Sequence, residues 1–269
     1  MKVYKSTRRM SSGSAIAGGV FLAAGIVSFV LAFFESFQVL GLIGLGLTFW
    51  GALFLLVSPS SYVEASVLAS VVLPVYQVVD RALEGSAVAR KAYYFPSYPK
   101  DVRLPDYLKG LKDAVAFIPT NESSEMPAVE EMASGKLYMT GAKGVLVTPP
   151  GADLLVQVEN KTSIDLSKMS LEELVESFPK LVLDNIPIAK TIKLAQDKNQ
   201  VMLTIVDSPF LKLFNPENNL RSIGLLGCPI ASAVACALAK VTGKRVFIQS
   251  LKVIPDLKTT QVVYDILEG

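Results

Sequence analysis

Histidine is absent from the 269 residues, and cysteine occurs only at Cys228 and Cys236. Without histidine there is no Ser-His-Asp or Cys-His catalysis, and no His-ligated zinc or haem. Two cysteines within one chain do not complete a four-thiolate zinc or iron–sulfur site. Both fall in one expected helix, eight residues apart, which sets them roughly 80° apart around the axis and about 12 Å along it. That geometry disfavours a bond between them and suits a reducing compartment. No stretch fits GxxxxGK[ST], nor a GxGxxG between a strand and a helix. The Gly41–Gly46 run lies inside an apolar segment, and Gly141-Ala142-Lys143-Gly144 is too short for a phosphate loop. Neither a cofactor nor a metal is expected.

Charge is missing from two stretches, Ser14–Phe34 and Phe37–Val57, separated by Glu35-Ser36. Each holds 21 residues, enough for a helix to cross a hydrocarbon layer of roughly 30 Å. Gln38 is the one strongly polar side chain in them. The short connection turns the second helix back on the first, so residues 1–60 read as a transmembrane hairpin. Lys2, Lys5, Arg8 and Arg9 precede it and Glu35 alone marks its turn. The positive-inside rule therefore places both termini in the cytoplasm, in a two-span protein of the cell membrane. A cleavable signal peptide is the competing reading, opposed by the length of the first run, its Phe33-Phe34 end and the span that follows at once. With no ionisable residue in either span, transport or proton relay is not expected.

Small residues recur every fourth position in the first span (Ala15, Gly19, Ala23; Ala24, Ser28, Ala32), and the second holds Gly41, Gly44, Gly46, Thr48 and Gly51. Such faces let helices approach closely in lipid. The first expectation is that the two helices pack on each other. A membrane-protein partner or a homo-oligomer is the alternative.

Beyond residue 60 the chain carries 22 Lys and Arg against 23 Asp and Glu. A near-neutral remainder without a basic block offers no footprint for nucleic acid. Residues 61–84 form an amphipathic connecting helix, with Val63, Val67, Val71, Val75 and Val79 among its apolar positions. It is expected on the membrane surface or docked on the domain. A third span over 63–79 is opposed by Glu64, Pro74 and Gln77.

Residues 85–269 read as a soluble α+β domain with a mainly antiparallel sheet. Ala92–Phe95, Ala114–Ile118 and Gly144–Thr148 are expected strands. Glu122–Glu131 is an acidic loop or a short surface helix, read as a solvated face and not a metal site. Ala152–Glu159 is an expected helix, and Ser170-Leu171-Glu172-Glu173 is a capping box opening another. Ala189–Gln196 and Gln200–Val206 flank Asp197-Lys198-Asn199 as a hairpin, and Val246–Val253 with Thr260–Leu267 makes a second. Ile230–Thr242 is an Ala-rich helix with Pro229 at its first position and Gly243 as its C-terminal cap.

Two turns hold the candidate ligand or interaction residues. Cys228 sits at the start of the Ala-rich helix, at a tight strand-to-helix turn, where backbone dipoles lower a thiol's pKa; burial as a small core residue is the plainer reading. Cys236, mid-helix among alanines, belongs to the core. Thr148, Gly151 and Asp153 form the other turn, where a strand end meets a helix start and an anion can bind. Asp153 opposes an anion and fits better as a helix-start acid. If Pro149-Pro150-Gly151 and Gly227-Cys228-Pro229 meet at one concavity, ligand binding is favoured; if they lie apart in the core, scaffolding is.

The hairpin, Gly144–Gly151, the Leu171–Leu181 helix and the Gly227–Ala237 segment together resemble an uncharacterised family of archaeal membrane-anchored proteins. The resemblance runs nearly full length and implies no activity and no catalytic residue. The Cys-Pro helix followed by a hairpin is also similar to small-molecule-binding domains of the 4-vinyl reductase type, although the metal or further cysteine ligands of that type are not apparent here. The leading expectation is a non-enzymatic, membrane-tethered cytoplasmic module that binds a partner protein or small ligand. A thiol- or carboxylate-dependent membrane-anchored enzyme and a scaffold subunit of a membrane complex are the alternatives.

Overall fold

A computed structural model describes residues 4–5, 12–35, 38–56, 65–85, 91–98, 102–121, 124–139, 141–186 and 188–267. The basic residues Lys2, Arg8 and Arg9, Ser36 of the hairpin turn and the connection 57–64 lie outside them. The chain divides into two units: Thr7–Val63, and an α+β unit made of Met1–Ser6 with Glu64–Gly269.

The smaller unit is a pair of helices, α1 (Ser12–Glu35) and α2 (Gln38–Leu56). Ile16–Phe34 and Gln38–Leu55 are long and apolar enough to cross a membrane. Their contact is a glycine seam. Gly18 faces Gly51, and Gly25 faces Gly44, in an antiparallel register with a seven-residue repeat on each helix. A Cβ on Gly44 would stand 2.8 Å from Phe29 N, and one on Gly25 2.6 Å from Thr48 N. The seam therefore requires hydrogen at these positions. Gly19 and Gly46 face open space, so the small residues that pack this pair are in part not those picked out by the fourfold spacing.

Among the described residues of the larger unit, nine strands form one sheet in the order β1-β6-β7-β9-β8-β2-β3-β5-β4. They are β1 (Tyr4–Lys5), β2 (Tyr93–Phe95), β3 (Val115–Pro119), β4 (Tyr138–Met139), β5 (Gly144–Val147), β6 (Thr191–Asp197), β7 (Gln200–Val206), β8 (Val246–Ile254) and β9 (Thr259–Ile266). Every pairing is antiparallel. The expected hairpins are β6–β7 and β8–β9, and they lie side by side through β7–β9. The β2–β8 pairing (Tyr93↔Phe247) joins the two halves of the sheet.

Helices α3 (Ala65–Ala82), α5 (Ala152–Thr162), α6 (Leu171–Asn185), α7 (Ser222–Leu226) and α8 (Pro229–Thr242) pack with the sheet around the main core. The capping box at α6 is present: Ser170 Oγ accepts from Glu173 N at 3.2 Å, and Ser170 N donates to Glu173 Oε2 at 2.8 Å. A second, smaller core lies across the β3–β5 end of the sheet, because strand side chains alternate. Ala116, Ile118, Val145 and Val147 face the main core, while Phe117 and Leu146 face Leu111, Met132 and Met139. A lobe of residues 102–139, with the short helix α4 (Val129–Ala133), covers that second face.

The connecting helix belongs to the α+β unit. Tyr76, Val79 and Leu83 of α3 are buried in the main core. Asp80 accepts from Arg221 N and Ser222 N at 3.1 and 2.7 Å, so its carboxylate caps the start of α7. Among the described residues only α1 and α2 meet the length and apolarity of a span.

Candidate functional site

Helix α8 lies in the main core of the α+β unit. Its positions 229–239 are all buried, the pattern of a helix covered on every side. Alanine at 231, 233, 235, 237 and 239 provides helix propensity with little bulk, so neighbouring elements approach its backbone closely. The segment before it, Ser222–Leu226, is the helix α7 and not a strand; five residues are too few for periodicity to separate the two. Cys228 thus lies at a helix-to-helix turn. Gly227 takes φ +67° there, and a Cβ would meet Ala231 Cβ at 2.8 Å, two reasons for glycine.

Three buried tyrosines converge on this turn. Tyr76 from α3 donates to Gly227 O at 2.6 Å, Tyr94 from β2 to Leu226 O at 2.6 Å, and Tyr264 from β9 to Ala231 O at 2.8 Å. The Tyr94 hydroxyl also lies 3.2 Å from Ser232 Oγ. Leu226 O and Gly227 O, at the C-terminal end of α7, need partners from outside that helix, and the Tyr94 and Tyr76 phenols supply them; Tyr264 adds a further donor to Ala231 O in the first turn of α8. Burial raises the pKa of all three phenols well above the usual tyrosine range. They are neutral donors.

Cys228 occupies the N-cap of α8 without a side-chain capping hydrogen bond, and the nearby backbone N–H groups of Ala231 and Ile230 favour the thiolate. Burial outweighs them and pushes the thiol up to about 11. Cys236, also buried, is pushed up to about 12. Both are free thiols in the core. A nucleophilic thiolate needs the opposite environment, partly exposed and electropositive.

The second turn does meet the first, in a close-packed contact. A Cβ on Gly151 would run into Pro229 O and Ala233 N and stand 2.7 Å from Ala233 Cα. Gly151 and Cys228 are buried here, while Thr148 and Asp153 point to solvent. The four candidate residues therefore do not line a common concavity. Asp153 is in the first turn of α5, where the helix dipole favours an acid.

An open cleft of about 360 Å³ lies elsewhere, at the end of α8, lined by Glu159, Asn160, Asp165, Lys168 and Lys240 among others. Lys240 Nζ stands 2.5 Å from Glu159 Oε1, with side-chain exposures of 9% and 13%. Glu159 also accepts from Leu166 N at 3.2 Å. The Ser167 hydroxyl donates to Asp165 at 2.6 Å and, with the nearby Lys240 charge, lowers the Asp165 pKa. Lys168 lies 3.5 Å from Asp165. Each charge in the cleft thus has an opposite charge beside it, the mark of a self-satisfied structural network. Glu159 and Lys240 are 81 residues apart, and no local pattern joins them; the single Lys in an otherwise apolar helix is the one signal that pointed to such a partner.

A family model described as a domain of unknown function, DUF7982, matches residues 2–263. The chain belongs to this family. The DUF7982 match runs through both apolar helices and the α+β unit, so the hairpin and the unit are parts of one family architecture. No curated protein and no solved structure matches the chain.

Proposed function

We propose that this DUF7982 protein is a membrane-tethered module that holds its α+β unit on the cytoplasmic side and binds a partner protein there. The tether rests on two apolar helices and on the way the chain is threaded. Strand β1 pairs with β6, and α3 enters the main core, so the chain leaves one folded unit, passes through the hairpin and returns to the same unit. Two spans bring both flanks back to one side of a bilayer. The side is argued from the basic flank, Lys2, Lys5, Arg8 and Arg9.

The observation that carries the partner reading is where apolar surface remains. Among the described residues outside α1, α2 and α3, the exposed large apolar and aromatic side chains are Tyr98, Val102, Tyr107, Met126, Val129, Leu137, Tyr138, Met202 and Leu257. All but the last two fall within residues 98–138, in and next to the lobe over the second core. Tyrosine and methionine are enriched where proteins bind each other. The packed turns and the self-paired cleft give a small ligand less support, and buried thiols with raised pKa values oppose a thiol enzyme.

A photocrosslinking residue at Tyr107 or Tyr138, in membranes of the native cell, tests this reading. A defined partner captured at these positions, not at Gln196, and lost from copurification with Tyr107→Asp/Tyr138→Asp, is expected. Uncrosslinked monomer at every position would reject it.

A further inference from the structure

Helix α3 carries two apolar faces, and only one is used by the fold. Tyr76, Val79 and Leu83 enter the core, whereas Val67, Val71, Val75 and Val78 are 48%, 68%, 46% and 55% exposed. At about 100° per residue these four and Pro74 fall within an arc of roughly 100°. Ser70, Gln77 and Arg81 border the arc, and among the described residues of α3 no acid lies in it. Asp80 points away, engaged with the start of α7. We infer that this valine arc seats on the bilayer surface and orients the α+β unit upon it.

The inference rests on the reading of α1 and α2 as membrane spans. The tether then decides the occupant. Eight residues separate Leu56, the end of α2, from Ala65, the start of α3. Fully extended, they reach at most about 30 Å, which keeps the start of the arc within that distance of the end of α2. A helix with an uncharged apolar arc embeds that arc about 5–10 Å into the boundary between headgroups and acyl chains. The cation at its border, Arg81, suits anionic headgroups. A soluble partner has no comparable tether.

The test uses the full chain in liposomes of phosphatidylcholine and phosphatidylglycerol. An environment-sensitive NBD label is placed at Val71→Cys, at Val78→Cys as a second site on the arc, and at Ser250→Cys, an exposed control on β8. The native thiols are buried, so the unsubstituted protein reports background labelling. Circular dichroism confirms the fold of each variant. At 71 and 78 the label is expected to emit at shorter wavelength than at 250. Iodide quenching should be lower by roughly twofold or more, and lipids with shallow doxyl groups should quench it. Iodide quenching equal to that at 250 would overturn the inference. So would protection from iodide without doxyl quenching, which assigns the arc to a second copy or another protein. Alkaline carbonate extraction separates the two levels. Protein that resists extraction with a water-exposed label rejects the arc alone; protein that is extracted rejects the spans and the arc with them.

Discussion

Cys228 shows how one residue's chemistry is decided by competing terms of known sign. Position at a helix N-terminus favours the thiolate; complete burial favours the thiol, and burial wins. The ordinary value of 9.0 applies to the unfolded chain, while the folded values are pushed up to about 11 for Cys228 and about 12 for Cys236. Between these limits the folded chain holds protons that the unfolded chain has released. The stability associated with neutral thiols is therefore fully present below pH 9 and is lost as pH rises through the folded values. Thermal unfolding followed by circular dichroism should show a Tm that falls as pH rises from about 9 to 11, and a smaller fall in Cys228→Ala/Cys236→Ala. An equal fall in both proteins would remove the thiols as its cause.

The same turn makes a second residue-scale prediction. Tyr94→Phe keeps the packing but leaves Leu226 O without its phenol donor, at a cost of about 1–3 kcal/mol. Denaturant unfolding measures it, and an unchanged midpoint would show that another group satisfies the carbonyl. None of the three tyrosines stands out in sequence. They lie on three separate elements, and their common target is a turn whose α7 half is only five residues long.

Among the elements, what was legible followed local pattern. The capping box of α6, Pro229 and Gly243 around α8, and the two hairpins each depend on residues within a few positions of one another. What was not legible depended on distant pairing. The joining of both halves of the sheet through Tyr93↔Phe247 and the burial of Lys240 against Glu159 have no local signature. The α1–α2 contact lies between these cases. Small residues marked the helices as close-packing, but the seam runs along Gly18, Gly25, Gly44 and Gly51 and leaves Gly19 and Gly46 outside. Gly44→Ile should separate the helices, because its side chain meets the backbone of Phe29, whereas Gly46→Ile should be tolerated. Proximity of spin labels on the two helices in lipid reads the difference. Equal distances in both variants would contradict the seam.

At the scale of the whole molecule the feature that organises function is threading. A two-residue strand, β1, and an eighteen-residue helix, α3, bracket the apolar hairpin and both belong to the α+β unit. Sequence divided the same chain into hairpin, connector and domain; the packing of Tyr76 and the capping of α7 by Asp80 assign the connector to the domain. A hairpin that leaves and re-enters one folded unit is suited to holding that unit against a membrane, and residues 98–138 are the surface proposed above for a partner.

Labelling of intact cells with a membrane-impermeant maleimide tests this most directly. Ser36→Cys, at the hairpin turn, should react from outside, while Ser250→Cys, in the α+β unit, should react only after the membrane is permeabilised. Reaction of Ser250→Cys in intact cells, or protection of Ser36→Cys until permeabilisation, would contradict a cytoplasmic unit held by two spans.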